Sequence, residues 1–407
     1  MNELNKIYKI VRLLFSNKVN IKFNNPPKFP FLLVDNIAEE YLYEPILKGF
    51  KYSSISTRPG EQKGNFYFTI KLFFYFIVGL KKGLNFKTSY VYACIKHIRP
   101  KVILNNTFEH NISLVAKLLP QIQFIMLSQG IYFKLKKKGK KLIKSSYPHE
   151  LALLNHKKLN NLNILVWGDN DIEIFQEEGV DIKKSGINFF KVGSWQGSYY
   201  QSNEKLSEKK YDLLFVSQLH NLFLESNDKW HKQIVDNTIS ALKLIMNYAL
   251  ENNLSVGYLC RSKVGFDTTE IDVISSLFDN RYKFQIIKHE SINTIWKEIF
   301  RSKIILSNDS TCAHDSIALS KKVVLMPLNN TEVFRWSSLR YKNDKDFWPW
   351  TIENNEYDEF KKILDNLMNF EPDAYKKSIA DRVEYMCYSK NKLPSYKNII
   401  EFIKHRL

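Results

Sequence analysis

Ile304-Ile-Leu-Ser-Asn-Asp-Ser-Thr-Cys-Ala-His-Asp-Ser-Ile-Ala-Leu-Ser-Lys-Lys-Val-Val-Leu325 is the stretch that decides the fold. The apolar run Ile304–Leu306 is too short for a helix and has no polar alternation. It reads as a strand buried on both faces, as strands of parallel sheets are. A polar turn follows, then a helix with Ala313, Ile317 and Ala318 as its small and apolar positions, then a second strand over Val323–Met326. Strand, helix and strand in that order make a right-handed crossover unit. The turn also carries chemistry. Asp309, Ser310 and Thr311 stand where a helix begins, and hydroxyls there either cap free backbone N–H groups or help those groups hold an anion.

The same grammar extends outward. Ile292–Phe300 reads as a helix and Phe284–Ile287 as a strand. Val256–Leu259 and Leu213–Val216 are further strands, and residues 229–251 show helical spacing. The first half repeats the pattern, with strands at Phe31–Val34, Tyr52–Ile55, Val102–Leu104, Phe124–Leu127 and Ile164–Val166, and a crossover helix over Asn111–Leu119. Between the halves, Gly193–Lys210 is rich in Ser, Gln and Lys and shows neither period, which is a linker composition. The fold class expected is α/β, with two Rossmann-like doubly wound domains facing across a cleft. The domains are residues 1–195 and 211–373, followed by a helical tail over 374–407.

Ligands in such sheets sit beyond the carboxyl ends of the strands, so residues just after strands are the candidates. Arg261 and Lys263 follow Val256–Leu259 and suit phosphate or carboxylate recognition. In the first half, Asp35 follows a strand, with Glu39 close behind. Ser56-Thr57-Arg58 follows another strand, and Glu109 and His110 follow a third. These carboxyl and imidazole groups are candidates for general acid, base or nucleophile, with helix capping as the competing role.

Composition bounds the alternatives. The 407 residues suit two to three domains, and the formal charge of +18 favours polyanionic partners. Cys94, Cys260, Cys312 and Cys387 are widely spaced, with no CxxC and no Cys/His cluster, so reduced thiols and no metal site are expected. The amino-terminal residues lack a signal-peptide pattern, and the longest apolar run, Leu72–Leu80, reaches only about 14 Å as a helix against roughly 30 Å of hydrocarbon. A cytoplasmic protein is expected. Seven lysines between Lys134 and Lys144, together with the aromatic run at 73–76, suggest a peripheral contact with an anionic membrane face. No nucleic-acid-binding motif accompanies them. P-loop, GxGxxG, HExxH and GxSxG patterns are absent, and nothing calls for a cofactor. Asp169-Asn-Asp171 and Asp344-Lys-Asp346 match DxD as strings, but Asp169 also reads as a helix N-cap and the second string as a charged loop.

These residues resemble a family: bacterial surface carbohydrate biosynthesis proteins of GT-B type, akin to retaining transferases that use CMP-activated Kdo. Asp309-Ser-Thr-Cys-Ala-His-Asp315 is similar to that family's Ser-Thr-Leu-Gly-Tyr-Glu turn, with Ala313 in place of Gly and Asp315 in place of Glu. Lys321-Lys322-Val-Val resembles its Gly-Lys-Lys stretch, and Phe347-Trp348-Pro349-Trp350 its Phe-Trp motif. Ser128-Gln129-Gly130 is similar to the Gln-His-Gly edge of related transferases. The resemblance implies a nucleotide-sugar donor on the second domain, contacted by Arg261, Lys263, Asp309, Ser310 and Thr311, and a glycan or glycolipid acceptor on the first. Glu109, His110 and Asp35 are then the catalytic candidates. Two alternatives accompany this expectation: a UDP- or GDP-sugar donor, and a non-catalytic carbohydrate- or membrane-binding assembly protein.

Overall fold

In the computed structural model the described residues are 20–34, 39–56, 65–105, 110–128, 151, 155, 158–203, 208–219, 221–263, 269–277, 283–308, 310–328, 348–387 and 393–407. The strands are β1 (Asn20–Lys22), β2 (Phe31–Val34), β3 (Tyr52–Ile55), β4 (Asn65–Tyr67), β5 (Val102–Asn105), β6 (Gln123–Leu127), β7 (Leu162–Val166), β8 (Asn188–Lys191), β9 (Tyr211–Val216), β10 (Val256–Lys263), β11 (Phe284–His289), β12 (Ser302–Ser307) and β13 (Lys322–Leu325). A six-stranded sheet runs β3-β2-β5-β6-β7-β8 and a five-stranded sheet β11-β10-β9-β12-β13. Both are parallel throughout. β1 and β4 form a separate parallel pair.

The apolar runs explain the first sheet directly. Leu32, Val34, Ile103, Phe124, Met126 and Ile164 point to one core, and Phe31, Leu33, Leu104, Ile125, Leu127 and Leu165 to the other. Alternate residues of each run serve opposite faces, so a strand covered on both sides reads as a largely continuous apolar run. On one face lies the helix Phe86–Ile98, joined through Gly83 to the helix Ile70–Lys81. On the other lies the last helix, Ser395–Lys404, whose Tyr396, Ile399 and Ile403 are buried against β2, β5 and β6. The tail is therefore helical, as expected, and it returns to the first sheet.

In the second sheet the longest helix, Lys229–Glu251, follows β9, and the helix Thr311–Ala318 connects β12 to β13. The aromatic pair after residue 347 belongs to this core. Trp348 donates its Nε1–H to Val323 O at 3.0 Å, and Trp350 lies 4.9 Å from the Tyr375 ring. Lys322 donates to Leu367 O and Phe370 O, both at 2.6 Å, and so closes the carboxyl end of the helix Tyr357–Asn369.

The stretch read as a linker is not one throughout. Trp195–Asn203 is a helix. Trp195 is fully buried and donates its indole N–H to Ser128 O at 3.0 Å, while Tyr200 stacks on Trp296 at 5.5 Å. Trp195 serves the first core and Tyr200 the second, so no single apolar stripe marks the helix in sequence.

Candidate functional site

The second sheet reverses direction at β9: the chain moves outward through β10 and β11 on one side and through β12 and β13 on the other. A crevice opens beyond the strand ends at such a point. Ser307, the last residue of β12, donates its hydroxyl to Val216 O at 2.9 Å and accepts the Ser310 N–H at 3.1 Å. Buried Asn308 accepts from Thr238 Oγ1 at 3.1 Å and donates to Met326 O at 2.9 Å. The turn is thus tied to β9, to the strand beyond it and to the long helix. Ser310 is the N-cap of the helix Thr311–Ala318, its Oγ accepting from the Cys312 N–H at 3.3 Å, and Thr311 stands exposed in the first turn. Asp309 lies outside the described residues.

Arg261 belongs to β10 itself, which runs past the expected end at Leu259 as far as Lys263. The pairing with β11 shifts between Leu259 and Lys263, from Leu259↔Ile287 to Lys263↔His289. In that irregularity the Arg261 N–H donates to Glu270 Oε1 at 3.3 Å, and its carbonyl accepts from His289 Nδ1 at 3.0 Å. Bulges of this kind re-aim a side chain. The exposed guanidinium donates to Gln218 O at 2.9 Å, just past β9, and Tyr41 of the first domain lies within electrostatic reach. Lys263 ends the strand opposite His289; its side chain is outside the described part.

Glu270 was not singled out by sequence reasoning. It is buried, and its Oε1 accepts the Ser217 hydroxyl at 2.7 Å, with the Tyr258 hydroxyl 2.9 Å away. Burial, reinforced by Glu270, pushes the Tyr258 phenol well above its ordinary pKa, so it stays protonated. This network fixes the ends of β9 and β10, a scaffold beneath Arg261. The only sequence signal was an acid in the first turn of the helix Thr269–Leu277.

One turn into the helix Thr311–Ala318, His314 and Asp315 are buried where the two domains meet. Burial pushes the His314 imidazole down to about 4. It pushes the Asp315 carboxyl up to about 8, against the Ser194 hydroxyl and the Gly197 N–H, which favour the ionised form. Both side chains are therefore uncharged at neutral pH. The first turn of the helix holds no acid, so the positive end of its dipole is not offset from within that turn.

The first-domain candidates are only partly visible. β2 and β5 are neighbours at that sheet's own reversal, and Val34 pairs with Asn105 at their ends. Asp35 and Glu109 follow these strands in sequence and lie outside the described residues, as do Thr57 and Arg58. His110 opens the helix His110–Leu118, its side chain outside the described part. Glu39 accepts from Tyr52 OH at 2.6 Å.

At the first DxD string the helix begins one residue earlier than expected. The N-cap of the helix Asp169–Glu177 is Gly168, not Asp169. Asp169 pairs with Lys191 at 3.0 Å, and buried Asp171 accepts the Trp167 N–H at 2.8 Å. Gly168 is needed for close approach: a Cβ there would fall 2.4 Å from Tyr385 O and 2.5 Å from Met386 C. Asp344 and Asp346, and the lysine run 134–144, lie outside the described residues. Among the described residues no group of three or more His, Cys, Asp or Glu side chains converges on a point.

No family model matches this chain. No curated protein matches it by sequence. Solved structures match it in fold. S. aureus MnaA in complex with UDP superposes with a TM-score of 0.52 at 10% identity, over 92% of this chain and 96% of that one. UDP-GlcNAc 2-epimerase from Neisseria meningitidis bound to UDP-GlcNAc gives 0.50 at 11% identity, over 92% and 99%. A variant of the wall teichoic acid polymerase TagF gives 0.50 at 12% identity, over 93% and 89%. At such identities the likeness concerns fold, and it extends over nearly the whole chain: the architecture is GT-B-like, two parallel-sheet domains with carboxyl-terminal helices.

Proposed function

We propose that this chain is a glycosyltransferase that moves a sugar from a nucleotide donor onto a surface polysaccharide or lipid-linked glycan. Residues 211–373 hold the donor, residues 1–195 the acceptor, and 374–407 form the tail. The observation that supports this reading is the placement of a capped helix start and an exposed arginine at one sheet edge. The capped helix start at Ser310–Thr311 follows β12, and Arg261 rises from β10, two strand spacings away, or roughly 9–10 Å. That span suits the phosphate and nearby polar groups of one activated sugar. Asp309 and Lys263 belong to the same site by sequence position.

The donor we assign is a CMP-activated Kdo-like or other nonulosonic acid, on the strength of the Ser310–Asp315 and Trp348 motifs. Glu109, with His110 and Asp35, is the proposed source of the nucleophile or base, because these residues follow the two strands at the first sheet's reversal. Asp169 and Asp171 are engaged by Lys191 and the Trp167 N–H. In this reading the helix start and Arg261, rather than a metal ion, balance leaving-group charge.

A second reading takes a UDP-sugar, either as transferase donor or as epimerase substrate. The fold is shared with proteins solved with UDP and UDP-GlcNAc. Incubating the protein with CMP-, UDP- and GDP-sugars in excess EDTA, and following nucleotide release and sugar configuration, separates these readings. Release of CMP from a CMP-nonulosonate supports the first. Release of UDP, or 2-epimerisation of UDP-GlcNAc, assigns the second. Glycan binding with no turnover of any donor leaves the non-catalytic alternative.

A further inference from the structure

The helix Ile70–Lys81 is apolar on both sides. Leu72 and Gly79 are buried; Gly79 lies so close to the helix Phe86–Ile98 that a Cβ would meet Ser89 at 3.0 Å. The opposite face, where a surface helix should be polar, carries Ile70 (78% exposed), Phe73 (46%), Phe74 (67%) and Val78 (41%) at helical spacing. Phe68, just before the helix, and Phe86, just after its turn, are 44% and 42% exposed and extend the same patch. Phe76 lies 4.8 Å from the Phe86 ring and 6.4 Å from the Phe73 ring, so these aromatics form one continuous surface. A fully exposed aromatic side chain presents about 150–250 Å², so the four phenylalanines alone leave on the order of 300–500 Å² uncovered. The aliphatic residues then bring the patch to the upper end of the roughly 300–600 Å² of the largest patches on ordinary monomers, which are often functional.

Charge identifies the occupant. No Asp or Glu occurs from Gln62 to Phe108, while Lys71, Lys81 and Lys82 stand exposed at the ends of the helix. An apolar, phenylalanine-rich face bordered by lysines and free of acids is complementary to a layer with a hydrocarbon interior and an anionic surface. Among the described residues no helix is long and apolar enough to cross a membrane. Twelve residues span only about 18 Å, so the helix must lie along the interface.

We infer that the outer face of the helix Ile70–Lys81, with Phe68 and Phe86, docks this protein onto an anionic lipid bilayer. Ile70, Phe73, Phe74 and Val78 enter the acyl boundary, and Lys71, Lys81 and Lys82 meet headgroup phosphates. The inference does not depend on which donor the second domain takes, or on the lysine run 134–144.

The test is co-sedimentation of the full chain with vesicles of phosphatidylcholine alone and of equal parts phosphatidylcholine and phosphatidylglycerol. The wild type is expected to bind the anionic vesicles more tightly, with affinity falling as salt is raised. Ile70→Ser with Phe74→Ser should lower the partition coefficient at least about tenfold, since each large side chain withdrawn from lipid costs a factor of that order. Lys71→Gln, Lys81→Gln and Lys82→Gln together should remove the preference for anionic lipid and keep the fold. The Phe74→Trp variant should gain indole fluorescence that brominated lipid quenches, which keeps the inference open to refutation even if the serine variant misfolds. Equal binding of folded wild type and serine variant, or added indole fluorescence that brominated lipid leaves unquenched, overturns the inference. So does a wild-type dimer that the serine changes dissociate, because the face would then be a contact between two copies of the chain.

Discussion

Ser194 donates its hydroxyl to the Asp315 carboxyl across the junction between the two domains, joining the exit of the first sheet to the helix that begins at the proposed donor site. Asp315 is raised to about 8 by burial, so folding keeps a proton that the unfolded chain gives up near pH 4. Between those values the native state binds more protons, and stability falls as pH rises, by up to about 1.4 kcal/mol per unit from this group. Above pH 8 the slope vanishes. Asp315→Asn keeps an acceptor for Ser194 and removes the titration. The variant should therefore gain on wild type steadily from pH 5 to pH 8 in denaturant melts; a constant difference would show that Asp315 is ionised in the native state.

Gly168 and the Tyr385–Met386 backbone are in contact where the helix Pro372–Cys387 crosses the end of β7. The glycine's φ is extended, so the demand is steric, not conformational. Gly168→Ala should destabilise by about 1–3 kcal/mol, as overpacking does, and lower the thermal midpoint. An unchanged midpoint would mean that the two segments separate without cost.

Lys322 distinguishes structural from ligand-binding roles within the motif it shares with Lys321. Its ammonium closes the helix Tyr357–Asn369 through Leu367 O and Phe370 O. Lys322→Met keeps the stem and loses two charge-assisted hydrogen bonds, so a loss of about 1–3 kcal/mol in stability is expected, with nucleotide affinity unchanged. Lost nucleotide affinity with full stability would move Lys322 into the donor site.

What could be read in the sequence follows from how each element buries its side chains. β2, β5, β7, β9 and β12 are covered on both faces, so their apolar runs are unbroken and stand out. Ser310 was legible because a cap needs a hydroxyl before an apolar-spaced helix. Arg261 was legible as a basic residue at a strand end, but its place inside β10 was not, because the pairing shift depends on Glu270 and His289, which are distant in sequence. Trp195–Asn203 went unread because its large side chains divide between two cores. Asp169 differs from its reading for a simpler reason: in sequence a carboxylate at a helix start resembles a cap whether it stands just before the helix or, as here, is its first residue and pairs with Lys191.

The most direct measurement is calorimetric titration of the wild type and of Arg261→Ala with CMP, in excess EDTA. Arg261 sits at the surface of the carboxyl edge and supports little core packing, so the variant should melt like the wild type. The wild type should bind CMP, and the variant should bind it roughly 10- to 150-fold more weakly, the equivalent of one charge-assisted hydrogen bond. Equal affinity in the two proteins, or binding that appears only when Mg²⁺ is restored, would contradict a metal-independent donor site at Arg261 and Ser310.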